Sequence, residues 1–215
     1  MPDSQLTRIV AIRHGETAWN VDTRIQGQLD IPLNDKGRWQ ASRLAEAVAH
    51  EGISAIYSSD LARAFDTALA VAAGLGLPVV PEPGLRERGF GVYEGHTFAE
   101  IETRWPEGHE RWRRRDVEFG PEGGEVLRVF YDRSVATAER LALAHRGETI
   151  ALVAHGGVMD CLYRAAAKLE LRAPRTWQLG NAGINRLLHT DAGFMLVGWG
   201  DVSHLEAGLL DESTT

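Results

Sequence analysis

The chain has 215 residues, 44% hydrophobic and 25% charged, a balance that excludes global disorder and suits one domain, or a core with an inserted subregion. Thirty acidic residues against 23 basic ones leave a net charge of -7, which disfavours an electrostatically driven nucleic-acid binder. At this global level the charge also argues against a strongly anionic ligand, and a single cysteine, Cys161, excludes an intramolecular disulfide framework and a Cys-rich zinc site.

In chain order, Arg8-Ile9-Val10-Ala11-Ile12 is a short β-branched run stopped by polar residues and Gly15, the pattern of a buried strand. Asn34-Asp35 open a helix to about His50, with Ala41, Leu44, Ala45 and Val48 at helical spacing and Gly52 as a stop. Ala55 to Ser58 reads as a second strand, and Leu61 to Ala73 as an Ala-rich helix ended by Gly74. Val79-Val80, between two prolines, is a brief third strand.

Leu85 to Gly124 breaks the rhythm. It mixes Gly, Pro, Trp and Arg, allows short helices at Phe98 to Arg104 and Glu107 to Arg114, and reads as an inserted cap without its own core. The longest helix is expected from about Glu125 to His145, with Leu127, Phe130, Tyr131, Ala138, Leu141 and Ala142 on one face. Thr149 to Ala154 is the clearest strand, followed by Gly156-Gly157 and a helix to about Lys168. Strands near Ile184 to Thr190 and Phe194 to Gly200 form a hairpin around Asp191-Ala192-Gly193. The alternation predicts a three-layer α/β/α sandwich with a mostly parallel sheet, spanning residues 1–215 as one domain with the cap at about 85–124.

The longest apolar stretch, Ala68 to Val80, is interrupted by Gly74, Gly76 and Pro78 and is too short to span a bilayer. Met1-Pro2-Asp3-Ser4 lacks the basic-then-apolar pattern of a secretory signal, so a soluble, cytoplasmic protein with no membrane partner is expected. Of the basic residues only Lys36 and Lys168 are lysine; coding bias is a sufficient explanation of the arginine excess as a whole.

Ligands in open α/β sheets bind at the carboxyl ends of the strands, so the residues immediately after each strand matter most. They are Arg13-His14-Gly15-Glu16-Thr17 after the first, Ser58-Ser59-Asp60 with Arg63 after the second, Arg86-Glu87-Arg88 after the third and His155-Gly156-Gly157 after the fourth. Two His-Gly turns at strand ends should expose their imidazoles at the crevice, since glycine permits tight backbone approach. Arg13 beside His14 opposes a metal cation and suits a phosphate, which arginine can hold with two hydrogen bonds.

Arg13-His14-Gly15-Glu16-Thr17, with Trp19-Asn20 and Gln26-Gly27, resembles the signature of the histidine phosphatase superfamily, which includes the cofactor-dependent phosphoglycerate mutases. The similarity continues in order through Tyr57 to Ala64, Leu85 to Gly95, Gly123-Gly124-Glu125 and Val153 to Gly157. It implies that His14 is the nucleophile, forming a phosphohistidine, and that Arg13, Arg63 and His155 surround the phosphoryl oxygens. Glu87 would protonate the departing alkoxide and then activate water, a role for which Glu94 is the nearby competitor. Asn20, Gln26, Gly27 and Gly156 are carried over as phosphate or substrate contacts. Structural pairing of Glu87 with Arg86 or Arg88 is the alternative for that residue. Glu16 and Thr17 are read as turn and helix-start residues, and Cys161 as packed.

Within the family, the expected activity is a metal-independent phosphomonoesterase acting on a small phosphorylated metabolite, with no cofactor. The alternative is a phosphoglycerate mutase, which would need a 2,3-bisphosphoglycerate primer. Trp112-Arg113-Arg114 resembles the substrate-carboxylate clamp of the mutases, whereas the short chain, Pro121 to Glu125, and Phe98 where mutases usually carry lysine favour the phosphatase. The cluster of Trp105, Trp112 and Arg113 to Arg115 is either a solvated basic face or a lid that selects the substrate. Non-catalytic phospho-ligand binding and metal-dependent hydrolysis are further readings, and a homodimer is what the family resemblance suggests. Locally, four basic side chains converge on one sheet edge, while much of the acid excess is expected on solvated helix faces and at Asp211-Glu212.

Overall fold

The computed structural model describes residues 6–206; Asp211 and Glu212 lie outside them. Six strands, β1 (Thr7–Arg13), β2 (Ile53–Ser58), β3 (Val79–Pro81), β4 (Thr149–Ala154), β5 (Ile184–Thr190) and β6 (Gly193–Asp201), form one sheet in the order β3-β2-β4-β1-β5-β6. The first four in that order run parallel, while β5 is antiparallel to β1 and β6 to β5.

The residues of β1 and β4 alternate between two cores because successive side chains of a strand point to opposite faces. Ile9, Ala11, Ile150 and Leu152 pack with α6 (Leu127–Ala144) and α7 (Gly156–Ala167) on one face. Val10, Ile12, Ala151 and Val153 pack with α2 (Asp35–Ala47) and α3 (Ala62–Leu75) on the other. This is the three-layer arrangement that the strand and helix alternation predicts.

Two boundaries differ for identifiable reasons. Gly74 does not end α3; it sits where the helix packs on Ala45 of α2, and Gly76, at φ 67°, takes the left-handed position that closes the helix. α6 starts at Leu127 because Val126 is still extended and the Glu125 N–H donates to Gly89 O at 2.8 Å, outside the helix. Thr17 starts a helix, as its reading as a helix-start residue implies: it is the N-cap of a one-turn helix, α1 (Ala18–Val21), through a capping box with Asn20. The segment from Leu85 to Gly124 holds α4 (Phe98–Arg104) and α5 (Pro106–Arg113) and, contrary to expectation, a small apolar cluster of Tyr93, Ile101 and Phe119.

The chain leaves β1 towards α2 and leaves the neighbouring β4 towards α7, on opposite faces of the sheet. The two strand-end loops therefore diverge and open a crevice between them. The β1 loop is fixed from below: Gly15 N–H donates to Thr67 Oγ1 at 3.1 Å, and that hydroxyl donates to Arg63 O at 2.7 Å. Glu16 N–H donates to Gln40 Oε1 at 2.8 Å. Replacing Thr67 by the isosteric valine leaves the buried Gly15 N–H without an acceptor. Thr67→Val is expected to lower stability by about 1–3 kcal/mol in urea denaturation; an unchanged midpoint would show that the tie contributes nothing.

Candidate active site

His14 comes directly after β1, and its N–H extends the ladder to Ala154 O at 3.0 Å, which fixes the backbone. Its Nδ1 lies 2.6 Å from Gly15 O. A carbonyl oxygen only accepts, so Nδ1 carries the proton and Nε2 keeps its lone pair. Burial, with Arg13 and Arg63 close by, holds the imidazole's pKa well below the ordinary histidine value. The result is a neutral ring with a defined tautomer, the form in which histidine is nucleophilic.

Arg13 and Arg63 reach the same cavity as His14. Neither guanidinium is ion-paired among the described residues. Arg63 donates to Leu29 O at 2.8 Å and Gly27 O at 2.7 Å, and Arg13 donates to Leu179 O. Each keeps a buried Nε–H with no partner. Burial outweighs the attraction of nearby Glu87 and lowers the Arg13 pKa to about 10 and that of Arg63 in the same direction. Two guanidinium groups without a bonded carboxylate on one cavity wall suit an anion.

His155 departs from expectation. Both imidazoles are buried, His14 at 3% exposure and His155 at 0%, and His155 is not on the cavity wall. Its ring centre is 5.2 Å from that of His14, and its Nε2 lies 2.8 Å from Ser59 Oγ. That hydroxyl, at the end of β2, supplies the polar partner that lets the ring turn inward. Its Nδ1 has no partner, and burial, then Arg63, lowers its pKa far below the usual value.

Glu87 lines the cavity, and its carboxylate accepts from Arg88 N–H at 2.8 Å and Gly157 N–H at 2.9 Å. A Cβ on Gly157 would collide with that carboxylate, so the glycine is required for the approach. Neither neighbouring arginine pairs with Glu87: Arg86 binds Asp60 at 2.6 and 2.5 Å, and Arg88 donates to Glu125 O and Phe119 O. Glu94 is occupied elsewhere, accepting from Gln28 N–H at 3.0 Å and Phe90 N–H at 2.9 Å, and is not among the cavity residues.

Asn20, Gln26, Gly27 and Gly156 all line the cavity. Asn20 Oδ1 is taken up by Thr17 and Asn181, which leaves Nδ2 as its group for a ligand. Gln26 Oε1 is buried without a partner. The outer wall carries residues that the strand-end argument missed: Arg24, Arg175, Trp177 and Gln178. The last three belong to the loop before β5, and because β5 is antiparallel to β1 that loop arrives at the end of β1 beside His14. The signal for them is the direction of β5: an antiparallel strand brings its preceding loop to the edge where the parallel strands end.

The cap cluster divides. Trp112 stacks on Phe98 at 5.1 Å and both face the cavity with Arg115, whereas Arg113 and Arg114 pair with Glu110 at the surface. Trp105 packs against Tyr93 inside the cap. Cys161 is buried, and burial raises its thiol pKa.

The two strongly depressed site histidines, with His189 and His204 shifted the same way by burial, set a sign for the pH dependence of folding. As the pH falls below about 6.5 the unfolded chain binds protons that the folded site refuses, so stability drops. The slope should approach about 1.4 kcal/mol per pH unit for each histidine. Urea titrations from about pH 8 to pH 5.5 should show it, and a profile flat through that window would contradict the neutral assignment.

The chain matches the family model of the histidine phosphatase superfamily (branch 1) over residues 9–202. It is 43% identical over 210 residues to phosphoglycerate mutase-like protein 4 of Arabidopsis thaliana, covering 95% of this chain and 89% of the relative. It is 39% identical over 209 residues to the metal-independent phosphoserine phosphatase of the same plant, covering 95% and 86%. Among solved structures, a mycobacterial glucosyl-3-phosphoglycerate phosphatase in complex with VO3 superposes with a TM-score of 0.80 at 34% identity, covering 90% of this chain and 98% of that one. The protein belongs to the histidine phosphatase superfamily.

Proposed function

We propose that the protein is a metal-independent phosphomonoesterase that transfers the phosphoryl group of a small metabolite to His14 and then to water. One observation carries this reading. His14 presents an unprotonated Nε2 in a cavity of about 510 Å³ that it shares with two unpaired arginines and a carboxylate. That volume suits a small molecule.

In the first half-reaction His14 Nε2 bonds to phosphorus while the bond from phosphorus to the ester oxygen breaks. The Nδ1 proton stays hydrogen-bonded to Gly15 O, so the positive charge that develops on the ring has an acceptor beside it. Arg13 and Arg63 stabilise the phosphoryl oxygens as charge spreads over them, and the N-terminus of α7 at Gly156 adds its dipole. The departing oxygen takes a proton from Glu87. In the second half-reaction water gives a proton back to Glu87 and its oxygen attacks phosphorus, breaking the bond to His14. No step calls for a metal ion, and among the described residues no group of three or more His, Cys, Asp and Glu side chains is disposed to hold one.

Support for a phosphatase over a mutase comes from the cap. Of Trp112-Arg113-Arg114, the run resembling the mutase clamp, only Trp112 lines the cavity, and both arginines are committed to Glu110 away from it. Phe98, standing where mutases usually carry lysine, adds an aromatic face to the cavity and no charge. The similarity to a phosphoserine phosphatase and a glucosyl-3-phosphoglycerate phosphatase favours substrates whose ester oxygen belongs to a small acid or a derivative of one. The similarity to a phosphoglycerate mutase-like protein keeps the mutase as the second reading.

Hydrolysis of a phosphomonoester should persist in excess chelator and disappear in His14→Ala. Rapid quenching during turnover should trap an acid-labile, alkali-stable phosphoprotein. Loss of activity on chelation, or a His14→Ala protein that still turns over, would refute the covalent route. Interconversion of 2- and 3-phosphoglycerate with a bisphosphoglycerate primer, faster than hydrolysis, would assign the mutase instead.

A further inference from the structure

We propose that Arg133 is the positioning residue for the acid–base step, a guanidinium clamp that fixes the Glu87 loop; this rests on the reading of Glu87 as the proton donor. The loop from Glu82 to Gly89 contains one 3-10 turn, Pro83–Leu85, and leaves the sheet at Pro81. No strand ladder fixes Glu87.

Arg133, on α6, supplies what the ladder does not. Nη1 donates to Gly84 O at 2.9 Å and Arg86 O at 3.0 Å, and Nη2 to Glu87 O at 3.3 Å. Nε and Nη2 also donate to the two oxygens of Glu125, at 3.0 and 2.8 Å. Glu125 in turn accepts from Gly89 N–H at 2.8 Å, so the loop is gripped by three carbonyls up to Glu87 and by one N–H beyond it. The guanidinium lies 5.2 Å from the ring centre of Phe130, itself a cavity residue, which sets its plane. Its fork reaches several acceptors at once, and a lysine ammonium, a point donor on a flexible stem, does not.

Arg133 is not among the cavity residues; its charge also helps to lower the His155 pKa, but Arg133→Lys keeps that charge, so what the lysine loses is the hold on the Glu87 loop. That makes the effect separable. Proton donation matters in proportion to the basicity of the leaving oxygen: an alkoxide needs the proton, and a dinitrophenolate departs without it. Misplacing Glu87 should therefore harm alkyl esters selectively. Damage to the phosphate site, or a fraction of misfolded protein, should harm all esters alike.

The test compares kcat/KM for an alkyl phosphate and for 2,4-dinitrophenyl phosphate in the wild type, Arg133→Lys and Glu87→Gln. This ratio reports steps up to phosphoryl transfer onto the enzyme, whichever half-reaction limits turnover. Arg133→Lys should lose about 10- to 100-fold on the alkyl ester and less than about 3-fold on the dinitrophenyl ester, with Glu87→Gln showing the larger version of the same pattern. Equal losses on both esters in Arg133→Lys, with Glu87→Gln discriminating, overturn the clamp and spare the reading of Glu87. Equal losses in Glu87→Gln overturn that reading and the clamp with it. Should Arg133→Lys fail to fold, Glu125→Gln loosens the same grip from its other end. It should show the graded pattern in weaker form, and equal losses there would overturn the clamp.

Discussion

Arg13 and Arg63 keep their full charge in the interior because their partners are carbonyl oxygens, not carboxylates. A carbonyl satisfies a guanidinium N–H without neutralising it, so the charge stays available to a ligand. The arrangement is costly for the free protein, since buried cations without counter-ions are unfavourable. The same field adds to burial in keeping His14 and His155 unprotonated. One electrostatic constraint thus serves both the proposed anion site and the proposed nucleophile. Removing either arginine would alter binding and the protonation state of His14 together.

Topology makes that constraint attainable. Placing β1 beside β4, with their loops diverging to opposite faces, brings His14, His155 and the first turn of α7 to one point. Ser59 arrives from β2, the other neighbour of β4, and its N–H bonds Val153 O at 2.9 Å. Each of these side chains is one residue from a strand, so its position inherits the precision of the sheet. Glu87 alone among the proposed chemical groups lies on an irregular loop, which is why it needs a dedicated grip from α6.

The parts visible in the sequence share a feature: they sit directly after short apolar runs. The periodicity located β1 and β4 to within a residue or two, and Arg13, His14 and His155 came with it. Arg63 was legible through its place in the block Tyr57 to Ala64 that resembles the family, since an arginine at a helix start is by itself ordinary. What was not legible depends on contacts between distant segments. Arg133 reads as an ordinary polar residue of a long helix, and only the return of residues 84–87 against it reveals its task. Arg113, Arg114 and Arg115 are consecutive and chemically identical. Two turn to Glu110, while the third, at φ 53°, turns back to Asp160 and the cavity. Composition does not predict a division made by one backbone angle. The burial of His155 was missed for a related reason, since its partner Ser59 comes from another strand.

The net charge of -7 looks at odds with an anion site until the acids near the site are traced one by one. Beyond the acid excess expected on solvated helix faces, several acids stand close to the site and are paired there. Asp60 is bound by Arg86, Glu125 by Arg133, and Asp160 by both Arg115 and Arg164. Glu94 is held by backbone N–H groups. Arginine, far commoner here than lysine, does most of this pairing, so the excess that coding bias sufficed to explain has a structural use. Each paired acid is screened by a cation at contact distance, and its field at Arg13 and Arg63 is correspondingly weakened. Glu87 is the cavity carboxylate with no cationic side chain bonded to it, and it is the one that the proposed reaction asks to exchange a proton. The sign of the cavity is therefore set by which carboxylates are paired, and a global count carries no information about that.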